Sequence, residues 1–364
     1  MATTMSSLQL WLAIAGGLIL AAVVAHGAWT SRKNAPLQAV PDEPSAPSDS
    51  RNSDGPSGLG SPMDPALVLT DAEFASPNFS IPKFSIPPIE RKALLDALID
   101  VVAPIALDGV VSGDAVLMAL PATRRVGSKP FAIEGLNAAS QQWEVPHAGQ
   151  RYKALQAGVQ LANRSGALND IEYSEFVIKT QAFADTVNGA PEFPDMRDEV
   201  ARARELDHFA GEHDAQLSFT VRARNAAWSP GYVQQQAGRL GFVAGVMPGR
   251  MVLPTITAGL PPILGLSFDT QAALAEDPAQ SALREVVLSL DVPQVDRAES
   301  PFVRLREAAK ALALAMEGVI TDDNGVPLPT DSMDVIGSEL EVLYDQLDEH
   351  ELSAGSELAR RLFS

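Results

Sequence analysis

Three successive segments decide the fold class: residues 285–293 are EVVLSLDVP, residues 301–318 are PFVRLREAAKALALAMEG and residues 319–328 are VITDDNGVPL. In the first segment apolar and polar residues alternate, which is typical of a strand with one buried face. In the second, apolar residues recur at steps of three and four, which gives a helix with one apolar stripe. The third has Asn-Gly between two apolar runs and predicts a hairpin.

The same two periodicities continue on both sides of these segments. The other predicted elements are an apolar run at 98–107, a helix near 112–121, strands near 131–137, 151–162 and 217–221, helices near 170–187, 195–210 and 229–240, and a last helix from Asp331. Strands with one polar face form an antiparallel sheet that is covered on one side only. We therefore predict an α+β fold in which helices cover one face of an antiparallel sheet, and the two halves are candidates for a duplicated split βαβ unit.

Composition limits the classes of function. The chain has 364 residues, enough for about two globular units, a net charge of −19 and no cysteine. Phosphate binding needs clustered Lys and Arg, so this charge argues against a nucleic-acid partner. The lack of cysteine excludes thiolate catalysis, cysteine-based zinc sites and disulfides.

An uncharged apolar segment opens the chain. Residues 8–29 are dominated by Leu, Ile, Val, Ala and Gly, and no charged side chain occurs before Arg32. Twenty-two helical residues extend about 33 Å, which exceeds the roughly 30 Å of a bilayer core. The residues expected to define the membrane anchor are Leu8, Trp11, Leu18, Trp29, Arg32 and Lys33. A cleavable signal peptide is the alternative, but its basic residues would precede the apolar run.

The position of the basic residues predicts the orientation. Arg32 and Lys33 follow the apolar run directly, so the positive-inside rule places the rest of the chain in the cytoplasm. Residues 34–88 contain 11 of the 27 prolines and are predicted to be a disordered linker. Within it, residues 79–82 and 84–87 are both FSIP, which fits an extended strap on the domain surface or a docking motif. The predicted organisation is an anchor at 1–33, a linker at 34–88, a first α+β module at 89–210 and a C-terminal domain at 211–364.

This layout resembles the ZipA family, bacterial division proteins that tie FtsZ to the inner membrane. The similarity lies in the membrane helix, the Pro-rich linker, and the order of a strand ending in Val292-Pro293, an Ala-rich helix ending at Gly318 and an apolar strand running into Asp322-Asp323. Residues 262–266, PILGL, resemble the preceding strand of that family. Residues 89–205 have no counterpart in the best-known members.

The resemblance implies a function and a site. The family domain binds the C-terminal tail of FtsZ on the exposed face of its sheet, so we expect a cytoplasmic adaptor at the division septum of the inner membrane. The residues expected to line this site are Phe242, Val246, Met247, Met251, Leu253, Ile263, Ser267, Val287 and Ser289. Two alternatives stay open: a membrane-tethered scaffold that binds another protein through residues 89–210, and an envelope protein whose domain faces the periplasm.

No pattern typical of catalysis is present in the sequence. His208 and His213 are five residues apart, a spacing that does not place two metal ligands on one helix face. Asp322, Asp323, Asn324 and Gly325 lack the later glutamate of a calcium-binding loop and fit a turn better. We therefore expect no enzyme activity, no cofactor, no metal and no small-molecule substrate.

Overall fold

The computed structural model describes residues 36–39, 94–257, 259–275, 277 and 281–364. The predicted membrane anchor, and residues 34–35 and 40–88 of the predicted linker, lie outside these residues. The strands are β1 (Asp100–Ser112), β2 (Arg125–Val126), β3 (Lys129–Asn137), β4 (Trp143–Glu144), β5 (Arg151–Gln160), β6 (Ala162–Asn163), β7 (Gly166–Ala167), β8 (Gly189–Pro191), β9 (Gln216–Ala223), β10 (Val243–Ala244), β11 (Arg250–Leu253), β12 (Leu264–Ser267), β13 (Glu285–Asp291) and β14 (Gly318–Thr321). The helices are α1 (Gly113–Ala119), α2 (Asp170–Thr186), α3 (Met196–His213), α4 (Pro230–Gly238), α5 (Thr270–Ala273), α6 (Pro301–Ala315), α7 (Thr330–Glu349) and α8 (Glu357–Leu362).

The described residues form a mixed α+β structure with antiparallel sheets and eight α-helices, which confirms the predicted class. The first six-stranded sheet has the order β2-β3-β5-β1-β8, with β4 paired to β3. The second has the order β10-β11-β12-β13-β9-β14, and β6 pairs with β7 alone. The two halves of the chain therefore build two separate sheets rather than one continuous sheet.

The first core lies between the first sheet and helices α2 and α3. The register places Val101 beside Val159 and Ala103 beside Ala157, so these side chains share one face. Phe176 of α2 is fully buried against this face. Helix α2 begins at a capping box, in which Asn169 accepts backbone N–H bonds from Ile171 and Glu172, as the polar start of an amphipathic segment requires.

The second core lies between the second sheet and helices α4, α6 and α7. Met251, Leu266, Leu288 and Phe219 are paired side by side across four strands, and all four are buried. Helix α6 ends at Ala315, earlier than the expected end at Gly318, and Glu317 has a φ of 52°. Gly318 is instead the first residue of β14.

A short N-terminal stretch belongs to the second half of the fold. Leu37 pairs in parallel with Trp228, donates from its N–H to Ala227 O at 2.7 Å and accepts from Ser229 N at 2.9 Å. Leu37 also packs against the second core. Residues 36–39 fall within the predicted linker, so this part of the linker packs against the fold.

The C-terminal helix joins the two halves. Arg361 of α8 forms an ion pair with Asp100 of β1 at 2.5 Å, and its second guanidinium nitrogen donates to Leu94 O. Gln160 of β5 donates to Arg361 O at 2.8 Å. These contacts tie the last helix to the middle strands of the first sheet. Among the residues that the structure describes, no helix is both long and apolar enough to cross a bilayer.

Candidate functional site

The outer face of the second sheet, the side away from α4, α6 and α7, is the predicted site. Its register sets Ser267 beside Val287 and Val287 beside Thr220 in one row. The neighbouring row sets Gly265 beside Ser289 and Ser289 beside Ser218. The structure thus brings together three of the predicted residues, Ser267, Val287 and Ser289, on adjoining positions of one face.

Three other predicted residues point into the core. The solvent-exposed fraction is 3% for Phe242, 5% for Met251 and 1% for Ile263. The prediction that these residues lie on the open face is therefore wrong. The physical reason is the register: Met251 lies beside Leu266 and Leu288, whose side chains face the helices. Leu253 lies on the same side of β11 and packs against that core.

The remaining two predicted residues lie on the loop between β10 and β11. Val246 is fully exposed and Met247 is 55% exposed. Both belong to a loop that extends the edge of the second sheet, because β10 pairs only with β11. The sequence interpretation expected them on the sheet face, and the structure places them in this edge loop instead.

The outer face is shallow because small side chains dominate it. A Cβ at Gly265 would lie 2.6 Å from Ser289 Oγ, so there is no room for a side chain between these two strands. Ser218 Oγ donates to Asp323 Oδ1 at 2.6 Å, which fixes the turn that follows β14 at this edge. Arg222 and Glu285 form an ion pair at 3.3 Å at the other end of the face.

The outer face of the first sheet is occupied by the chain itself. Glu134 Oε1 accepts the backbone N–H of Leu94 and of Leu95, the latter at 3.0 Å. The side chain of Leu95 lies where a Cβ on Gly158 would stand, because the nearest Leu95 atom is 2.4 Å from that position. Leu94 and Leu95 therefore lie on the side of the sheet away from α2 and α3, and residues 97–99 turn from there into β1.

An apolar groove lies beside Leu94; we name it the Leu94 groove. It encloses about 280 Å³ and is lined by Leu94, Leu120, Pro121, Arg124, Pro130, Phe131, Ala132, Ile133, Val145, Pro146 and Arg361. Sequence reasoning missed it, because its walls come from five separated stretches of chain. Two prolines among the groove residues, Pro121 and Pro146, are the sequence feature that could have pointed to it.

Lys129 and Glu199 are two of the buried titratable groups in the first half. Lys129 is 1% exposed, and burial lowers the pKa of its ammonium group. Its Nζ donates to Ser128 Oγ at 2.8 Å and to Asn163 Oδ1 at 3.1 Å. Burial likewise raises the pKa of Glu199, against the opposing effect of Arg202 at 3.2 Å. Within the described part of the chain, no group of three His, Cys, Asp or Glu residues is arranged to hold a metal ion.

Comparison with known proteins gives no assignment. No family model matches the chain, and no curated protein matches it. A solved structure of berberine bridge enzyme from Eschscholzia californica aligns with 72% of this chain and 52% of its own, at 10% identity and a TM-score of 0.15. The chain thus spans about half of that enzyme, and a score at this level carries no argument about fold or activity.

Proposed function

We propose that this chain is a membrane-anchored adaptor that binds the C-terminal tail of FtsZ on the outer face of its second sheet. The proposed location is the bacterial inner membrane at the division septum, with the N-terminus periplasmic and the folded part cytoplasmic. The observation that carries the proposal is the first module, where Leu94 and Leu95 of the chain itself lie on the outer face of the sheet, against Glu134 and Gly158. An outer face of this kind that packs against one stretch of chain is suited to pack against a peptide.

The two modules are, on this proposal, copies of one split βαβ unit. Two strand orders support it: β3-β5-β1-β8 in the first sheet and β12-β13-β9-β14 in the second. If only the strands of these two orders and the longer helices are counted, the chain in both runs strand, helix, two strands, helix, strand, helix, with β2, β4, β6 and β7 inserted in the first and β10, β11 and α5 in the second. Leu94 and Leu95 contact β3 and β5, which correspond to β12 and β13, so the equivalent face of the second module is the proposed peptide site.

The binding contacts follow from the residues on that face. Val287, half-buried between Ser267 and Thr220, is the apolar centre against which a peptide anchor would pack. Val246 and Met247 supply exposed apolar surface at the sheet edge. The shallow polar rows around Val287 favour weak, reversible binding, since few buried apolar contacts are on offer.

A second candidate is a scaffold that binds a different protein through residues 89–210. The Leu94 groove favours it, because this groove is the more enclosed and apolar of the two surfaces described. In that case the second sheet would not contact the partner.

Fluorescence anisotropy with a labelled FtsZ tail peptide tests the proposal on the full chain in detergent. We expect saturable binding at micromolar concentration and none with a scrambled peptide. Val287→Glu should weaken binding at least about tenfold, which corresponds to about 1.4 kcal/mol, because it places a charge at the apolar centre. Val342→Glu is the matched control, since Val342 is 57% exposed on α7.

Two results would count against this assignment. Binding that survives Val287→Glu would move the site elsewhere. No binding by a chain with native thermal unfolding would reject the FtsZ tail as partner and leave the scaffold alternative. A Met251 variant is not informative here, because Met251 is part of the core.

A further inference from the structure

The charge of the second sheet differs from that of the rest of the chain. Residues 215–268, which include β9 to β12, contain no Asp, Glu or Lys, and they contain four Arg, at positions 222, 224, 239 and 250. The chain as a whole has 46 acidic residues and a net charge of −19. This segment is therefore a positive region of a strongly acidic protein.

Exposed apolar side chains concentrate in the same segment, along one edge of the sheet. Among the described strands β10 pairs only with β11, and both of its residues are exposed. We name this surface the β10 edge; its exposed large apolar residues are Val243, Val246, Met247, Ile256 and Leu260. A cluster of exposed apolar side chains marks an interaction surface.

The apolar residues of the β10 edge lie at both ends of β11. Val246 and Met247 belong to the loop before this strand, and Ile256 belongs to the loop after it. Because β11 has four residues, the two loops are separated by about 13 Å at roughly 3.3 Å per residue. The surface thus consists of two exposed loops joined by a short strand.

An exposed Arg accompanies each loop. Arg250 is the first residue of β11 and directly follows the first loop. Arg239 lies near the other end of β11, because it precedes Gly241, and a Cβ on Gly241 would be 3.3 Å from Leu253 Cδ1. Both ends of the β10 edge therefore combine apolar side chains with a cation.

No carboxylate is paired with these two cations in the described part of the chain. Arg239 donates to the neutral amide oxygen of Gln236 at 3.3 Å, and Arg250 is exposed on the surface of the sheet. Asp269 is the first acidic residue after this segment, and its carboxylate accepts the amide of Gln271 at 2.9 Å. The charges of Arg239 and Arg250 are therefore available to an anionic partner.

Apolar loops flanked by arginines match the surface of an anionic membrane. The apolar side chains enter the boundary between headgroups and acyl chains, and the guanidinium groups are attracted to the anionic headgroups. The acidic remainder of the chain is repelled by the same membrane, so the β10 edge is the part of the second sheet that can approach it.

We propose that the β10 edge docks on a bilayer that contains anionic phospholipids, with Val246, Met247 and Ile256 in the interface and Arg239 and Arg250 at the headgroups. Docking in this way holds the second module directly against the membrane. The proposal goes beyond the FtsZ assignment and does not rest on it, since the peptide site is centred on the sheet face. Ile256 is outside that peptide site and is therefore the position to test.

Fluorescence quenching by lipid tests the proposal, and the absence of native cysteine allows a single label. Ile256→Cys in the full chain carries an environment-sensitive dye. The chain is reconstituted into vesicles of phosphatidylcholine and phosphatidylglycerol, a fraction of which carries a nitroxide on the acyl chain. The nitroxide acts over short distances, so it quenches a dye that enters the bilayer interface and not one that faces water.

Ile171→Cys provides the matched control. Ile171 is 81% exposed at the start of α2 in the first module, and Ile256 is 90% exposed. We expect quenching at Ile256→Cys to exceed quenching at Ile171→Cys at least about threefold, because only the β10 edge enters the interface. Equal quenching at the two positions would overturn the proposal.

The role of charge is tested on the same labelled chain. Arg239→Gln together with Arg250→Gln should reduce quenching at Ile256→Cys at least about threefold, because two attractions to anionic headgroups are lost. Vesicles of phosphatidylcholine alone should have the same effect. Arg151→Gln is the matched control, since Arg151 is likewise the exposed first residue of a strand and should leave the quenching unchanged.

Two further results would overturn the proposal. Quenching that persists in the Arg239→Gln, Arg250→Gln chain or on neutral vesicles would reject an anionic membrane as the partner. A shift of the dye emission without quenching, growing with the number of chains per vesicle, would identify a second copy of the chain as the occupant. All spectra are recorded without a peptide, so they are independent of the FtsZ test, and thermal unfolding verifies that each variant is folded.

Discussion

At the scale of the residue, Lys129 shows how burial and hydrogen bonding oppose each other. Its ammonium group has two neutral acceptors, Ser128 Oγ and Asn163 Oδ1, and no carboxylate is bonded to it in the described structure. Both acceptors have other partners, because Ser128 Oγ donates to Glu172 and Asn163 Oδ1 accepts from Ser165 N. Removing the ammonium group therefore leaves neither of them unpaired.

We predict that Lys129→Met does not reduce the free energy of unfolding at pH 7. A buried charge replaced by an apolar side chain of similar volume is neutral or stabilising, here by up to about 2 kcal/mol. The pKa of Lys129 is lowered in the fold, so the unfolded chain binds more protons between that lowered value and 10.5. Wild-type stability should accordingly rise relative to the variant as the pH increases through this interval.

Urea denaturation of both proteins from pH 7 to 10.5 measures this difference. Lys153→Met is the control, since it removes the same charge from an exposed position. A Lys129→Met protein that loses several kcal/mol would mean that the ammonium group is a favourable part of the native network.

The residue scale also marks the limit of sequence reasoning. Alternation placed Val287 and Ser289 on the outer face correctly, because β13 has seven residues and shows the period clearly. Met251 was assigned to the wrong face, because β11 has four residues and its face depends on pairing with Leu266. That register follows from loop geometry, which local sequence does not encode.

At the scale of the element, the helices and long strands were predictable and the short elements were not. Helix α2 was expected at 170–187 and runs from Asp170 to Thr186, since its polar start and apolar period are both local signals. Helix α6 ends before Gly318, and that glycine serves packing: a Cβ there would lie 2.7 Å from Val221 Cγ1. Helix α8 escaped prediction because six residues are too few to show a period.

The strand-like stretch around Leu37 leads to a prediction at this scale. Leu37→Asp should release it, because a carboxylate would then lie against the second core. We expect the amide of Ser229, which donates to Leu37 O at 2.9 Å, to exchange with solvent at least about tenfold faster.

Hydrogen exchange of the full chain measures this release. The amide of Leu283, which donates to Trp228 O at 2.8 Å on the opposite side, should stay protected. Gln38→Asp adds the same charge at an exposed neighbour and should change neither amide. Unchanged exchange at Ser229 in Leu37→Asp would show that Leu37 does not hold the stretch in place.

At the scale of the whole molecule, α8 connects the two sheets through a buried charge. The side chain of Asp100 has no exposed surface, and that of Arg361 keeps 21%. Burial raises the pKa of Asp100, while the hydrogen bond and charge of Arg361 act in the opposite direction. Arg361 therefore offsets part of the free energy that it costs to bury the Asp100 carboxylate.

We predict that Arg361→Ala lowers the free energy of unfolding at pH 7 by about 3 kcal/mol, because it leaves the Asp100 carboxylate buried and unpaired. Adding Asp100→Asn should restore part of this loss, since the amide carries no charge. Because the folded pKa of Asp100 is raised, its contribution to stability falls as the pH rises from 3.8 through the folded value.

Denaturation of the two single variants and the double variant forms a cycle that measures the coupling. Wild-type stability should decline relative to Asp100→Asn over the same pH interval. Losses that simply add in the double variant would show that the two side chains are energetically independent despite their contact.

The contacts that α8 makes with the first sheet also have a consequence for the order in which the chain is synthesised. The bond from Gln160 to Arg361 joins residues that are 201 positions apart. A ribosome that adds about 5–20 residues per second takes roughly 10–40 s to travel that interval. During this time the first module has been synthesised without α8, and Asp100 has no Arg361 to pair with. A nascent chain that stalls before α8 contains every strand of both sheets but lacks these contacts. We therefore expect chaperones and proteases to bind such chains.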